Sequence, residues 1–257
     1  MKEGFKMINI TVWNESTHKG KAYPESMNAA IKEIFAGKGD YTVTTALLDD
    51  PDQGLPDEVL NKTDVIMWWG HCRHGEVKDE LVEKVCKRVE DGMGIIVLHS
   101  GHYSKVFQKL MGTLCSLRWR EKEGEAERIW TTDPYHPIAK GVPQGFRLDG
   151  EEMYGEYFDI PKPDSVVFTG WFSGGEVFRS GCTFTRGAGR VFYFQPGHES
   201  FPIYYNENIR KIIENAVLWV TKHDSGESGY KPDGDCIHAK VPFETIPTKQ
   251  KKKLFGK

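Results

Sequence analysis

The sequence predicts an α/β fold, a doubly wound and mostly parallel sheet with helices on both faces, extended by an antiparallel hairpin towards the C-terminus. Three observations carry this. Near-continuous apolar runs recur at "MINITVW" (7–13), "DVIMWWG" (64–70) and "GIIVLH" (94–99), stretches with helical spacing lie between them, and two β-rich runs meet at Gly187 and Gly189. Strands apolar on both sides are those of a parallel sheet, because right-handed crossovers place helices above and below it.

The elements follow in order. After the first strand, Met27, Ala30, Ile31 and Ile34 share one face of a helix near 25–36, and "YTVTTALL" (41–48) is the second strand. Val77, Leu81, Val85 and Val89 make a helix of about 77–91 between the third and fourth strands, and helical spacing resumes after His102. From 113 to 160 the chain is polar and aromatic, too long for an ordinary connection, and is expected to elaborate the site. "SVVFTGWF" (165–172) is a strand and 176–195 a hairpin. Ile209, Ile212, Ile213, Ala216, Val217 and Val220 stripe a last helix over 206–221. Residues 1–222 are expected to form one domain and 223–257, rich in Gly, Pro, Asp and Lys, a polar tail.

The 257-residue chain can bury a sizeable core. Its 34 basic and 37 acidic side chains give a net charge of −3, with no whole-chain attraction to phosphate backbones or anionic membranes. No apolar stretch approaches the roughly 20 residues of a membrane span, and a cytoplasmic location without nucleic-acid or membrane partners is expected. The five cysteines (72, 86, 115, 182 and 236) show no CxxC spacing, so neither a disulfide framework nor a cysteine-rich zinc site is indicated. An apolar patch on the last helix or hairpin would allow homo-oligomers.

In an open parallel sheet, ligands bind beyond the carboxyl ends of the strands. His18 (with Asn14 and Glu15) follows the first strand, His71 and His74 the third, His99 and His102 the fourth, and His198 (with Glu199) follows "RVFYFQ". Six of the nine histidines thus gather at four strand ends. A single acid/base needs one imidazole, whereas a catalytic zinc-type site takes about three ligands and leaves a position for substrate. Polar residues also collect at strand ends merely because loops are wet, and each histidine alone could serve the backbone. Cys72 beside two histidines and Ser100 at the strand-to-helix turn are weaker nucleophile candidates, since "HSGH" lacks the first glycine of G-x-S-x-G. "EEMYGE" offers Glu151, Glu152, Tyr154 and Glu156 as metal ligands, acids or bases. Trp119, Tyr154 and Trp171 suit stacking on a sugar ring, and Arg118, Arg120, Arg128 and Arg179 could fork to hydroxyls or to nearby glutamates.

"WWGHCRHGEV", "GIIVLHSGHYSKVFQKLMGT", "LRWRE", "HPIAKG", "EEMYGEYFDIP", "WFSGGEVFRSG" and "FYFQPGHES" together resemble the ThuA-like, trehalose-utilisation family over about residues 7–221. The resemblance implies a flavodoxin-like fold of the class I glutamine amidotransferase-like type. At the position of the amidotransferase nucleophilic cysteine stands His99, so the resemblance implies no glutamine amidotransferase activity. The family's association with trehalose catabolism, and the likeness to proteins handling 3-keto sugars, imply a small-molecule carbohydrate as partner. The expectation is a metal-dependent isomerase, epimerase or hydrolase. His71, His74, His99 and His198 are its candidate ligands, for zinc first and for manganese, iron or nickel otherwise. Glu152, Glu156 and His102 are candidate catalytic groups, with Trp119, Tyr154, Trp171, Arg179 and Glu199 on the substrate. The competing expectation is a non-catalytic sugar-binding or regulatory module in a degenerate amidotransferase pocket, and a third is an amidase-like use of Cys72.

Overall fold

A computed structural model describes residues 7–121 and 125–221. The expected tail at 223–257 and Cys236 lie outside the described residues.

The main sheet has nine strands: β1 (Ile8–Asn14), β2 (Tyr41–Leu47), β3 (Val65–Trp69), β4 (Gly94–Leu98), β6 (Glu127–Thr131), β7 (Gly145–Leu148), β9 (Ser165–Phe172), β10 (Val177–Arg186) and β11 (Gly189–Phe194). They run in the order β2-β1-β3-β4-β11-β10-β9-β6-β7. The pairs β1–β2, β1–β3, β3–β4 and β4–β11 are parallel, and every pair from β11 outwards to β7 is antiparallel. The fold is therefore mixed α/β, and the expectation of a mostly parallel sheet with one hairpin understates the antiparallel half. The difference originates in residues 113–160. Instead of only covering the site, this segment sends β6 and β7 to the far edge of the sheet, while β5 (Arg118–Arg120) and β8 (Met153–Gly155) form a separate two-stranded ribbon.

Alternation along the parallel strands splits the core in two. Val65, Met67 and Trp69 of β3 face one side with α1 (Met27–Glu33) and α5 (Glu207–Val220). Ile66 and Trp68 face the other, with α2 (Asp57–Lys62), α3 (Asp79–Glu90) and α4 (Lys105–Met111). Helices thus cover both faces, as expected; α2, only six residues long, carries too little periodicity to be read from sequence. Helix starts are set by polar side chains that satisfy free amides. Ser26 accepts from Ala29 at 3.0 Å, Ser104 from Phe107 at 3.2 Å, and Asn206 from Asn208 and Ile209. Among the described residues no helix is long and apolar enough to cross a membrane, and Cys72, Cys86, Cys115 and Cys182 are free thiols.

β4 meets α5 where Gly94 has no side chain: a Cβ there would lie 2.6 Å from the Val220 carbonyl oxygen and 2.7 Å from its Cγ2. Because the obstacle includes backbone, Gly94→Ala is expected to destabilise by about 1–3 kcal/mol and lower Tm by roughly 3–10 °C. Calorimetry of the two proteins checks this, and an unchanged Tm would show that α5 is free to shift.

Candidate functional site

β1, β3, β4 and β11 all deliver polar residues to one crevice at their carboxyl ends, where the strand order reverses between β1 and β3. Glu15, buried just beyond β1, organises the loop after β3. Its carboxylate accepts the backbone N–H groups of His71 (2.8 Å), Cys72 (2.9 Å) and Arg73 (2.9 Å). Three charge-assisted bonds to consecutive amides turn His71 into the crevice, and Gly70 leaves the room that His74 Nδ1 and the Glu15 carboxylate occupy.

After β4 the chain breaks at His99, whose φ of 49° is left-handed and uncommon for a residue with a side chain. The ring holds that conformation. Its Nδ1 donates to the Gln195 carbonyl at the end of β11 (2.8 Å), its Nε2 lies 3.1 Å from Glu152 Oε2, and it stacks on Tyr154 at 5.0 Å. Burial works against charge on His99, yet Glu152 and Glu151 raise its pKa above the ordinary value. Both ring nitrogens face acceptors, Nδ1 the Gln195 carbonyl and Nε2 the Glu152 carboxylate. Glu151 plays for the β11 side the part Glu15 plays for β3: it accepts from the amides of Gly197 (2.8 Å), His198 (3.2 Å) and Glu152 (2.9 Å).

His71, Glu152 and His198 converge, each offering a ligand atom, with all three atoms within 4.8 Å of one another. His71 Nδ1 is 3.0 Å from Glu199 Oε1, which leaves Nε2 for another partner. The Glu199 hydrogen bond raises the His71 pKa against burial; in turn, and also against burial, His71 and His198 hold the Glu199 carboxyl down at about 2. Glu199 Oε2 is buried without a hydrogen bond among the described residues, whereas Glu152 Oε2 has the His99 ring 3.1 Å away. The Ser200 amide donates to His198 Nδ1 (3.1 Å), which puts the proton of the neutral ring on Nε2. Beside the cluster opens a cavity of about 520 Å³ lined by His71, His74, His102, Trp119, Glu152 and Tyr154, among others.

The expected site residues therefore divide. His71, His198 and Glu152 form the cluster, with Glu199 directly behind His71. His99 touches Glu152 but spends both nitrogens on protein partners, so it orients the cluster instead of ligating with it. His74 lines the cavity; burial lowers its pKa, and its Nε2 has no hydrogen bond among the described residues. His102 donates from Nδ1 to the Cys115 carbonyl (2.7 Å), and burial pushes its pKa down to about 3, which removes it as an acid near neutral pH. Trp119 and Tyr154 face each other across the β5–β8 ribbon at the cavity, the former 64 % exposed and the latter buried. Glu156 and Arg179 grip each other at 2.8 Å through Nε and again through a terminal nitrogen, and Trp171 carries the Arg128 guanidinium over its ring; none of these three lines the cavity. Arg120 likewise pairs with Glu125 and Glu176, so Arg120 and Arg179 are both spent on glutamates. Cys72 reaches the cavity, but burial and then Glu15 raise its pKa, the opposite of an activated thiol. Ser100 donates to the Gly70 carbonyl.

Sequence reading missed Gln195, whose only signal is a polar residue ending an apolar strand.

The state of His102 is testable through stability. A histidine with a folded pKa near 3 binds no proton where the unfolded chain does, so its contribution is complete above pH 6.5 and is lost as pH falls towards 3. In His102→Asn, whose amide Nδ2 stands where Nδ1 donates to Cys115, the unfolding free energy measured by denaturant titration is expected to fall less steeply over that window, by up to about 1.4 kcal/mol per pH unit. Parallel profiles would mean that His102 is protonated in the fold.

Comparison with known proteins follows the same outline. Solved structures of similar fold include a ThuA-like protein from Bacteroides uniformis (16% identity, 88% of this chain and 96% of that one, TM-score 0.64). Another, from Parabacteroides merdae, is 14% identical over 84% of this chain and 90% of that one, with a TM-score of 0.63. A cytoplasmic protein from Salmonella typhimurium is 13% identical over 83% and 99%, with a TM-score of 0.54. No curated protein matches the sequence. At these identities the structures show the fold. The family model described as ThuA, trehalose utilisation, matches residues 9–220, nearly all of the described chain, and to that family this protein belongs.

Proposed function

We propose that this protein is a metal-dependent enzyme of carbohydrate metabolism, acting on a sugar or keto-sugar by isomerisation, epimerisation or hydrolysis. The observation that carries the reading is the convergence of His71, Glu152 and His198 at a cavity flanked by Trp119 and Tyr154. Two imidazoles and one carboxylate, with positions left open, are a donor set of catalytic zinc sites and equally suit iron or manganese. Glu199 Oε2, buried beside the cluster without a hydrogen bond among the described residues, fits such an ion. When bound, the metal supplies electrophilic polarisation of a substrate oxygen.

The chain's own residues do the rest. Glu199 fixes the His71 ring, leaving Nε2 towards the cluster. The His99 ring, 3.1 Å from Glu152 Oε2, holds Glu152 in place. His74, neutral at physiological pH and with a free buried nitrogen, is positioned to take a proton from substrate in the cavity. Glu156, expected in that role, is committed to Arg179. Trp119 offers an exposed ring face of the kind on which a sugar stacks. The family's association with trehalose utilisation supports a carbohydrate as the ligand.

One observation favours the alternative, a sugar-binding module without metal: the Ser200 amide already occupies His198 Nδ1, so a ligating Nε2 must surrender its proton. Metal analysis by inductively coupled plasma mass spectrometry on untagged protein separates the two. About one equivalent of divalent metal is expected, lost in His71→Ala and Glu152→Ala and kept in Glu156→Gln. Folded protein that holds no metal and takes none from buffer would leave the binding module. Trp119→Ala is expected to weaken sugar binding roughly 3- to 10-fold, read by calorimetry with trehalose and 3-keto sugars. Unchanged affinity would remove Trp119 from the ligand.

A further inference from the structure

Glu127 begins β6 with its side chain fully buried, and no cation pairs with it among the described residues. Its Oε1 is 3.3 Å from Ser180 Oγ, which is in turn 3.2 Å from Gln195 Oε1. Gly170 makes the room, since a Cβ there would collide with Glu127 Oε1. The orientation of the Gln195 amide is fixed at its other end, where Nε2 donates to the Glu152 carbonyl at 3.1 Å; reversed, two carbonyl oxygens would face each other. Gln195 Oε1 therefore points at Ser180. One hydroxyl proton stands between two acceptors, Glu127 Oε1 and Gln195 Oε1.

Glu127 Oε2 has no hydrogen bond among the described residues in either state, and the chain through Oε1, Ser180 and Gln195 is fully served in only one way. If Glu127 carries a proton, it donates to Ser180, Ser180 donates to Gln195, and Gln195 holds the Glu152 backbone while its own carbonyl takes the His99 Nδ1 proton. If Glu127 is ionised, a buried charge lacks a counter-ion and one oxygen lacks a donor. We propose that Glu127 is a neutral, proton-donating positioning residue that sets His99 and Glu152 through Ser180 and Gln195. The titratable groups facing it, Glu151 and Tyr193, add no positive charge, and burial followed by Glu151 raises its pKa well above the ordinary 4.5.

The inference concerns a proton in the scaffold and stands apart from metal and sugar, so its test reads that proton directly. Wild type is expected to show the infrared C=O stretch of a protonated carboxylic acid at pH 8, and Glu127→Gln to lack it. Glu127→Gln, whose amide can donate to Ser180, should keep the His99 Nδ1 proton resonance. Glu127→Ala and Ser180→Ala should speed its solvent exchange roughly tenfold. Because the fold retains a proton that the unfolded chain releases above pH 4.5, wild type should lose stability relative to Glu127→Gln as pH rises from that value. Absence of the carboxylic acid band in wild type, or unchanged His99 exchange in folded Ser180→Ala, would overturn the proposal.

Discussion

The hydrogen bond from His99 Nδ1 to the Gln195 carbonyl ties together the two parallel strands at the centre of the sheet. Everything in the crevice is arranged around it. A left-handed backbone at His99 is tolerable because the ring, fully buried, is held from both ends, by Gln195 and by Glu152. The same contact stations the His99 ring against the one carboxylate of the candidate metal cluster. Gln195 in turn is held by β10 through its amide and by the Glu152 backbone through its side chain. The antiparallel half of the sheet is thereby mechanically joined to the site on the parallel half.

Such a joint explains why the enlarged antiparallel half matters beyond its area. β6 brings Glu127 and β10 brings Ser180 to the network, while β8 supplies Tyr154 for the stack on His99. None of these strands belongs to the parallel scaffold that carries the histidines. Both halves must be folded before His99 has its partners, so the crevice is a product of the whole sheet.

Legibility in the sequence follows from the range of the forces involved. β3 and β4 are readable because burial on both faces makes every position apolar, β1 because Ile10, Val12 and Trp13 keep it largely so, and α5 because its apolar stripe runs along a helix of fourteen residues. β5 to β8 are not, since strands of three to five residues carry no sustained alternation. The histidines were located by the rule that strand ends meet at the crevice. Their roles were not, because role depends on which nitrogen is engaged, and the partner of His99 lies 96 residues away. Glu156 looked as free as Glu152 in "EEMYGE", and only the fold places an arginine against one and an imidazole against the other. The tail expected at 223–257 lies beyond what the structure describes.

A crevice with this many carboxylates would repel itself unless most of them had structural employment. Glu15 is consumed by three amides, Glu151 by three more, and Glu156 by Arg179 and two backbone amides. Amide donors lower the energy of each charge locally and fix the loops that carry the histidines, so these acids build the site without entering its chemistry. Glu152 and Glu199 differ. Each faces imidazoles: His99 lies 3.1 Å from Glu152 Oε2, and His71 lies 3.0 Å from Glu199 Oε1 while Glu199 Oε2 is buried without a hydrogen bond among the described residues. The proposed chemistry therefore rests on those two carboxylates and the histidines that face them, because Glu15, Glu151 and Glu156 are already spent on holding the backbone in place.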